Sequence, residues 1–183
     1  MTLQDDYLPL DSFLLKELQN FDTWLELSDS ATVYNEGLEG GYKWWDGKTE
    51  PVDIWQMIIK KVWGHLDVNT IAGFEYWANV LSKNNELSWH QDKDEKEYDI
   101  SGKTICPSVS TVYYGYDHQV EGGFIEIGLP NSTDKKQTER IQPKFNRIVT
   151  FDPSRWHRVM PIKSGVRLAF QINIWEDRPS FLE

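Results

Sequence analysis

The hydrophobic periodicity of this chain changes near residue 70, and that change restricts the folds it can adopt. Before it, SFLLKELQNFDTWLEL (12–27) and VDIWQMIIKKVWGHL (52–66) repeat apolar residues every three or four positions, as amphipathic helices do. After it, short β-rich segments such as VSTVYYGY, RIVTF and VRLAFQINIW are separated by turn residues. A length of 183 residues fits a single domain. We therefore predict one mainly β domain (α+β) with supporting helices, in which 1–70 is mainly helical.

Composition limits the partners and the kinds of site. A formal net charge of −10 argues against a nucleic-acid surface, because contacts to phosphates need dense cationic side chains. No apolar segment approaches the length of a membrane span, and the N-terminus lacks a signal-peptide pattern. We therefore expect a cytoplasmic protein without a nucleic-acid or membrane partner. The single cysteine, Cys106, excludes an internal disulfide, so histidines and carboxylates are the available metal ligands.

Two of the four histidines begin a His-x-Asp triplet. His65 and Asp67 end the second predicted helix, where positions i and i+2 point apart, so this pair cannot converge on one ion. His90 and Asp92 lie in an alternating segment, and on a strand i and i+2 share a face, so this pair can chelate a metal. On these residues alone, a hydrogen-bonded pair at a strand end is at least as good an interpretation.

The C-terminal segment contributes a further histidine and an arginine. His157 and Arg167 lie on two predicted strands around a turn at 163–165, and a hairpin there would bring them close, although the sequence does not fix the register. The last strand alternates apolar and mostly polar positions: Leu168, Phe170, Ile172 and Ile174 against Arg167, Ala169, Gln171 and Asn173. The polar face either meets solvent or lines a ligand-containing interior.

The order His90-x-Asp92, His157, Arg167, with VYYGYDHQVEGGFIEIG between the first pair and His157, resembles the 2-oxoglutarate/iron(II)-dependent oxygenase family. The segment IQPKFNRIVTFDPSRWHRVMPIKSGVRLAF is most similar to the prolyl hydroxylase branch. The resemblance covers roughly 75–175. It implies a double-stranded β-helix (jelly-roll) barrel over that range, with the N-terminal helices packed on one sheet.

The resemblance also implies roles for five residues. It implies that His90, Asp92 and His157 hold iron(II), an arrangement that leaves coordination positions for a chelating 2-oxo acid and for dioxygen. Arg167 is the implied anchor of the far carboxylate of 2-oxoglutarate, since an arginine can form paired hydrogen bonds with a carboxylate. Tyr114 is the implied second donor to that carboxylate.

The activity that the resemblance implies is oxidative decarboxylation of 2-oxoglutarate to succinate and carbon dioxide, coupled to hydroxylation of an unactivated C–H bond. A prolyl residue in a peptide or protein is the prime candidate substrate, and ascorbate is a further candidate cofactor. The alternatives are a hydroxylase of a free amino acid or small metabolite, and a non-catalytic metal- and 2-oxoglutarate-binding sensor. We expect the charged loop 93–104 to be mobile; Trp44 and Trp45 either line a substrate groove or pack in the core.

Overall fold

The structure is a computed structural model that describes residues 1–32, 42–117, 119–130 and 137–182. The helices are α1 (Phe13–Glu17), α2 (Phe21–Thr32), α3 (Ile54–Trp63) and α4 (Glu95–Ser101), with 3₁₀ turns at Val68–Thr70 and Ser180–Leu182. The strands are β1 (Thr2–Gln4), β2 (Lys43–Trp45), β3 (Gly73–Leu81), β4 (Leu87–His90), β5 (Val109–Tyr114), β6 (Val120–Gly122), β7 (Ile125–Gly128), β8 (Thr138–Ile141), β9 (Arg147–Phe151), β10 (His157–Val159), β11 (Ile162–Gly165) and β12 (Arg167–Trp175). The prediction of a mainly β chain with few helices is confirmed.

The strands form three antiparallel sheets. The largest has the order β1-β9-β5-β12-β3-β2, the second has the order β4-β10-β7-β8, and β11 pairs with β6. These sheets do not join into a closed barrel within the described ranges. Strand β12 is central: it pairs with β3 along its whole length and with β5 on its other side, and all nine of its residues are buried.

One face of β12 belongs to the larger apolar core. Its Phe170 ring lies 4.7 Å from the ring of Trp55 on α3, measured between centroids. The next residue of the helix, Gln56, donates through Nε2 to the Tyr76 hydroxyl of β3 at 3.1 Å. Helix α3 forms because Asp53 caps its N-terminus, accepting from the backbone N–H of Gln56, and because its apolar residues recur on one face. Burial of that face joins the helix to the large sheet.

The first 70 residues differ in detail from the prediction. The single helix expected over 12–27 is two helices, because the Asn20 side chain accepts from the backbone N–H of Asp22 at 3.1 Å and starts α2 anew. The Trp24 indole then donates to the Leu18 carbonyl at 2.8 Å, which satisfies a carbonyl at the end of α1. Two short strands that the pattern did not predict also come from this region: β1 pairs with β9, and β2 pairs with β3.

Most of the expected loop 93–104 is helical. Asp94 accepts from the backbone N–H of Glu97 at 3.0 Å, and Gly102 ends α4 in the left-handed conformation at φ 71°. The same carboxylate accepts from the backbone N–H of Ser180 at 2.5 Å and from its hydroxyl at 2.7 Å. These contacts join α4 to the C-terminal 3₁₀ turn. The mobility of this segment stays a prediction.

The tryptophan pair divides between two environments. Trp45 is buried and stacks on Phe74 with centroids 5.7 Å apart, so it is a core residue. Trp44 is half-buried and lies directly opposite Glu75 in the β2–β3 pairing. In the described part of the chain, no helix has the length and apolar character needed to cross a membrane.

Candidate metal centre and cofactor pocket

Two sheets face each other across one cavity of about 990 Å³. Strand β10 pairs with β4 in the four-stranded sheet, so that His157 lies directly opposite His90. The polar face of β12 forms part of the opposite wall. Four of the five predicted site residues line the cavity: His90, Asp92, His157 and Arg167. The fifth, Tyr114, contacts Arg167 through its hydroxyl.

His90, Asp92 and His157 converge on one point. The Oδ1 atom of Asp92 lies 3.4 Å from Nε2 of His157 and 3.8 Å from Nε2 of His90. The two imidazole centroids are 4.3 Å apart, and one ligand atom from each residue lies within 4.8 Å of the others. Two imidazoles and one carboxylate on one side of a site are the donor set typical of non-haem iron(II) oxygenases. The group can hold a metal ion.

Hydrogen bonds orient both imidazoles for this purpose. Nδ1 of His90 lies 2.7 Å from the Ser88 carbonyl, and Nδ1 of His157 lies 2.8 Å from the Arg155 carbonyl. Because a carbonyl only accepts, each Nδ1 carries a hydrogen, so the neutral form of each imidazole has its lone pair on Nε2. Fixing the tautomer in this way is the usual outer contact of a metal-binding histidine.

The Asp92 carboxylate is also held in place. Its Oδ2 atom accepts from the Ser110 hydroxyl at 2.8 Å and from Gln171 Nε2 at 3.4 Å, which leaves Oδ1 facing the imidazoles. Burial alone would raise the pKa of Asp92, but His157 and His90 outweigh it and hold that pKa below its ordinary value. The pKa of His90 is lowered by burial and by His157. The carboxylate is therefore ionised and His90 is neutral at neutral pH, as ligands must be.

Arg167 is buried with one unsatisfied nitrogen. Its side chain is 1% exposed; Nε donates to the Gly123 carbonyl at 3.1 Å and Nη2 donates to the Tyr114 hydroxyl at 2.9 Å. Nη1 has no hydrogen-bond partner among the described residues. Because a buried guanidinium without a charged partner is unfavourable, this nitrogen marks a position for an anion.

Two local features create the arginine site. Gly123 has φ 64°, and a Cβ there would lie 3.0 Å from Arg167 Cδ, so the glycine permits both the turn and the close approach. Tyr114 accepts from the guanidinium and keeps its own hydroxyl hydrogen for donation. Tyr113 points to the other side of β5, where its hydroxyl donates to Asn146 Oδ1 at 2.8 Å. The strand alternation of β5 therefore separates the two tyrosines.

Two sequence-based expectations about pairs can be compared with the structure. The hairpin expected to bring His157 against Arg167 is wrong: β11 follows β10 but pairs with β6, so His157 and Arg167 reach the cavity from different sheets. The pair His65 and Asp67 lies beyond α3, which ends at Trp63, so the expected position at the end of a helix is wrong. His65 lies against Trp63, and Asp67 caps the 3₁₀ turn that follows it.

Sequence reasoning missed Ser110 and Glu75. Ser110 contacts both Asp92 and Asn173, and Glu75 accepts from Asn173 Nδ2 at 3.3 Å. A single serine or glutamate within a strand gives no signal of its own. The only available signal was the polar face of β12, on which Gln171 and Asn173 contact these residues.

Comparison with known proteins identifies the family. Residues 76–175 match the family model described as the 2OG-Fe(II) oxygenase superfamily. The chain belongs to this superfamily. Oxygenases of this superfamily use iron(II), 2-oxoglutarate and dioxygen, and the match includes His90, Asp92, His157 and Arg167. A search of curated protein sequences finds no significant match.

Solved structures show the same fold at low identity. A prolyl-4-hydroxylase from Pseudomonas putida is 16% identical, with a TM-score of 0.60 over 97% of this chain and 92% of that one. A Trichoplax adhaerens prolyl hydroxylase, solved with a peptide fragment of the hypoxia inducible factor oxygen degradation domain, is 14% identical, with a TM-score of 0.61 over 100% and 86%. An oxygenase of the superfamily from Burkholderia pseudomallei is 10% identical, with a TM-score of 0.47 over 70% of this chain and 59% of its own length. The first two likenesses support a jelly-roll oxygenase fold.

Proposed function

We propose that this oxygenase is an iron(II)- and 2-oxoglutarate-dependent dioxygenase that hydroxylates an unactivated C–H bond, with a prolyl residue of a peptide or protein as its substrate. One observation carries the proposal: Arg167 lines the cavity that contains His90, Asp92 and His157, and its buried Nη1 has no hydrogen-bond partner among the described residues. A hydrogen-bonded cluster would account for the histidines and the aspartate. It would not account for a buried arginine that still needs an anion.

The residues of the cavity fit the iron(II) and 2-oxoglutarate that the superfamily uses. His90 Nε2, Asp92 Oδ1 and His157 Nε2 would bind the iron, and Arg167 with the Tyr114 hydroxyl would bind the distal carboxylate of 2-oxoglutarate. When bound, the iron supplies dioxygen activation, coupled to oxidative decarboxylation of the 2-oxo acid. The protein's own contribution is to fix the ligand atoms, neutralise the carboxylate in a buried site and exclude water from it.

The size and position of the cavity favour a polypeptide substrate. Its volume of about 990 Å³ exceeds what a small dicarboxylic acid fills, and exposed residues such as Tyr42 and Ile100 line its rim, so it reaches the surface. The prolyl assignment takes its support from the two prolyl hydroxylases that share the fold. We also propose that the helical region 1–70 serves as a support for an oxygenase core at 75–175, and that the chain acts in the cytoplasm.

The test is succinate production with iron(II), 2-oxoglutarate and oxygen, in the presence of an array of proline-containing peptides read by mass spectrometry. The expected result is oxygen-dependent succinate together with addition of one oxygen atom to a prolyl residue. Tight 2-oxoglutarate binding without succinate would indicate a sensor, and hydroxylation restricted to free amino acids would indicate the metabolite alternative. Either result refutes the peptide hydroxylase proposal. Parallel reactions with and without ascorbate test whether succinate production requires it.

A further inference from the structure

The cavity contains a second buried ionisable group, on the far side of the metal-binding residues from Arg167. Glu75 lines the cavity and is 5% exposed. The position of Glu75 follows from three residues on the same face of β12. Arg167 comes first, Gln171 contacts Asp92, and Asn173 contacts Glu75. About 13 Å of strand separates the first two of these, and about 7 Å the last two. An anion position and a carboxylate thus lie at opposite ends, with the metal-binding residues between them.

Glu75 has only neutral hydrogen-bond donors. Its Oε2 atom accepts from Trp175 Nε1 at 3.0 Å and from Asn173 Nδ2 at 3.3 Å. No lysine, arginine or histidine of the described ranges lies within ion-pair distance of it. Burial raises the pKa of Glu75 to about 7. This carboxyl group therefore lies in a buried site without the cation that would stabilise its ionised form.

A second buried glutamate shows the contrast. Glu126 on β7 is 2% exposed, but Arg158 donates to it at 2.5 Å and Arg140 contacts its other oxygen. These arginines hold the pKa of Glu126 below its ordinary value despite burial. Glu126, which does not line the cavity, thus has two guanidinium partners. Glu75, which opens onto the cavity, has none.

Aromatic side chains accompany Glu75. Trp77 lies two residues along the same face of β3, lines the cavity and meets the Tyr42 ring edge-on at 4.7 Å. Trp44 is the cross-strand neighbour of Glu75, and Trp175 is one of its hydrogen-bond donors. A carboxylate beside indole rings is suited to an ammonium or guanidinium group, because the charge and the aromatic faces both attract a cation.

We propose that Glu75, together with Trp77, binds a cationic group of the primary substrate while the C–H bond to be hydroxylated lies at the metal-binding residues. The inference rests on the proposed function and specifies its substrate class: a peptide with a lysyl or arginyl residue next to, or one residue removed from, the hydroxylated position. The distance of about 7 Å between the Gln171 and Asn173 positions corresponds to two residues of extended peptide. The substrate cation would supply the partner that the fold omits.

The experiment measures binding without turnover. The iron-loaded protein is saturated with 2-oxoglutarate under anaerobic conditions and titrated calorimetrically with paired probes that differ only in one lysine or norleucine. The probes are proline-containing peptides with this residue at either of two positions on each side of the proline, and lysine amide against norleucine amide. We expect the wild type to bind at least one lysine probe about tenfold more tightly than its norleucine twin, which corresponds to about 1.4 kcal/mol.

Variants assign the preference to this residue. Glu75→Gln keeps the shape and should reduce the lysine-to-norleucine affinity ratio to about one, while 2-oxoglutarate affinity stays within about twofold of wild type. Trp77→Leu should reduce the ratio partially. Asp99→Asn removes an exposed acid at the same cavity rim and is the matched control, for which we expect an unchanged ratio.

The outcomes separate this inference from the proposed function. A protein that does not bind 2-oxoglutarate refutes the proposed function. A protein that binds 2-oxoglutarate but binds every lysine probe no better than its norleucine twin overturns the cation site alone. The cation site is also overturned if Glu75→Gln keeps the wild-type lysine-to-norleucine affinity ratio, or if Asp99→Asn reduces that ratio to about one. Circular dichroism at the titration temperature verifies that each variant is folded.

Discussion

Replacing Glu75 with glutamine should change the pH dependence of stability in a direction that the structure fixes. Burial raises the pKa of Glu75 from an ordinary value of 4.5 to about 7. Between those values the folded state binds more protons at this group than the unfolded state. Stability that is present below about pH 4.5 is therefore lost as the pH rises through about 7.

The magnitude follows from the size of the shift. Each pKa unit corresponds to 1.36 kcal/mol, so the full effect is about 3 kcal/mol, of which about 2 to 3 kcal/mol falls between about pH 5 and pH 8. Glutamine has the same shape and can accept from Trp175 and Asn173 through its amide oxygen, but it does not ionise. Between about pH 5 and pH 8, the free energy of unfolding of the variant should therefore rise relative to wild type by about 2 to 3 kcal/mol. This corresponds to roughly 5–10 °C in melting temperature.

The assay is denaturant unfolding of both proteins at a series of pH values, at equal ionic strength and equal metal content. Subtracting the two curves removes the titration of groups that the substitution does not affect. The coupled groups are Asp92 and Asp94, whose charges also raise the pKa of Glu75. Parallel curves for the two proteins between pH 5 and pH 8 would refute the reasoning. Glu126→Gln is the control of opposite sign: its two arginines lower that pKa from an ordinary value of 4.5, so its carboxylate stabilises the fold above that pH. The difference between this variant and wild type should therefore be constant between about pH 5 and pH 8 and should shrink only at lower pH.

Three further substitutions test the site and the fold. His157→Ala should abolish retention of iron, measured as metal content after gel filtration, and an undiminished content would exclude it as a ligand. Arg167→Gln should weaken 2-oxoglutarate binding about 10- to 100-fold in calorimetry, because the charge-assisted hydrogen bond from Nη1, of about 1.5–3 kcal/mol, is lost. Asn146→Ala should lower the free energy of unfolding by about 3 kcal/mol in denaturant unfolding. The reason is that Asn146 has φ 57° and that its side chain accepts from the Leu8 backbone N–H and the Tyr113 hydroxyl. A loss under about 1 kcal/mol would contradict this.

Features that depend on local periodicity were predictable from the sequence. The alternation of β12 placed Phe170 on an apolar face and Arg167 and Gln171 on a polar face; in the structure the first belongs to the apolar core and the other two line the cavity. The His90-x-Asp92 spacing predicted that both side chains share a face, and both line the cavity, although β4 ends at His90 and Asp92 follows it. These inferences succeed because a strand repeats every two residues whatever its neighbours are.

Features that depend on strand pairing were not predictable. His157 lies opposite His90 because β10 pairs with β4, and no residue in either strand specifies that partner. The contacts of Glu75 depend in the same way on the register of β3 against β12, which places it opposite Asn173. Helix α4 is a different case, since the capping pair Asp94 and Glu97 was a local signal in a segment whose charge density suggested a loop.

The central position of β12 makes the fold and the site depend on the same register. A shift of one residue would exchange its faces, placing Phe170 in the cavity and the Arg167 guanidinium in the apolar core, so burial on both faces strongly specifies the observed pairing. The anion position is therefore fixed on the most extensively paired strand. The cavity rim is attached differently: α4 is joined to the C-terminal turn by hydrogen bonds from Ser180 to Asp94 and from Lys96 to the Ser180 carbonyl. Substitutions at this rim should therefore leave 2-oxoglutarate affinity unchanged, because Arg167 and Tyr114, which would bind its distal carboxylate, lie on β12 and β5.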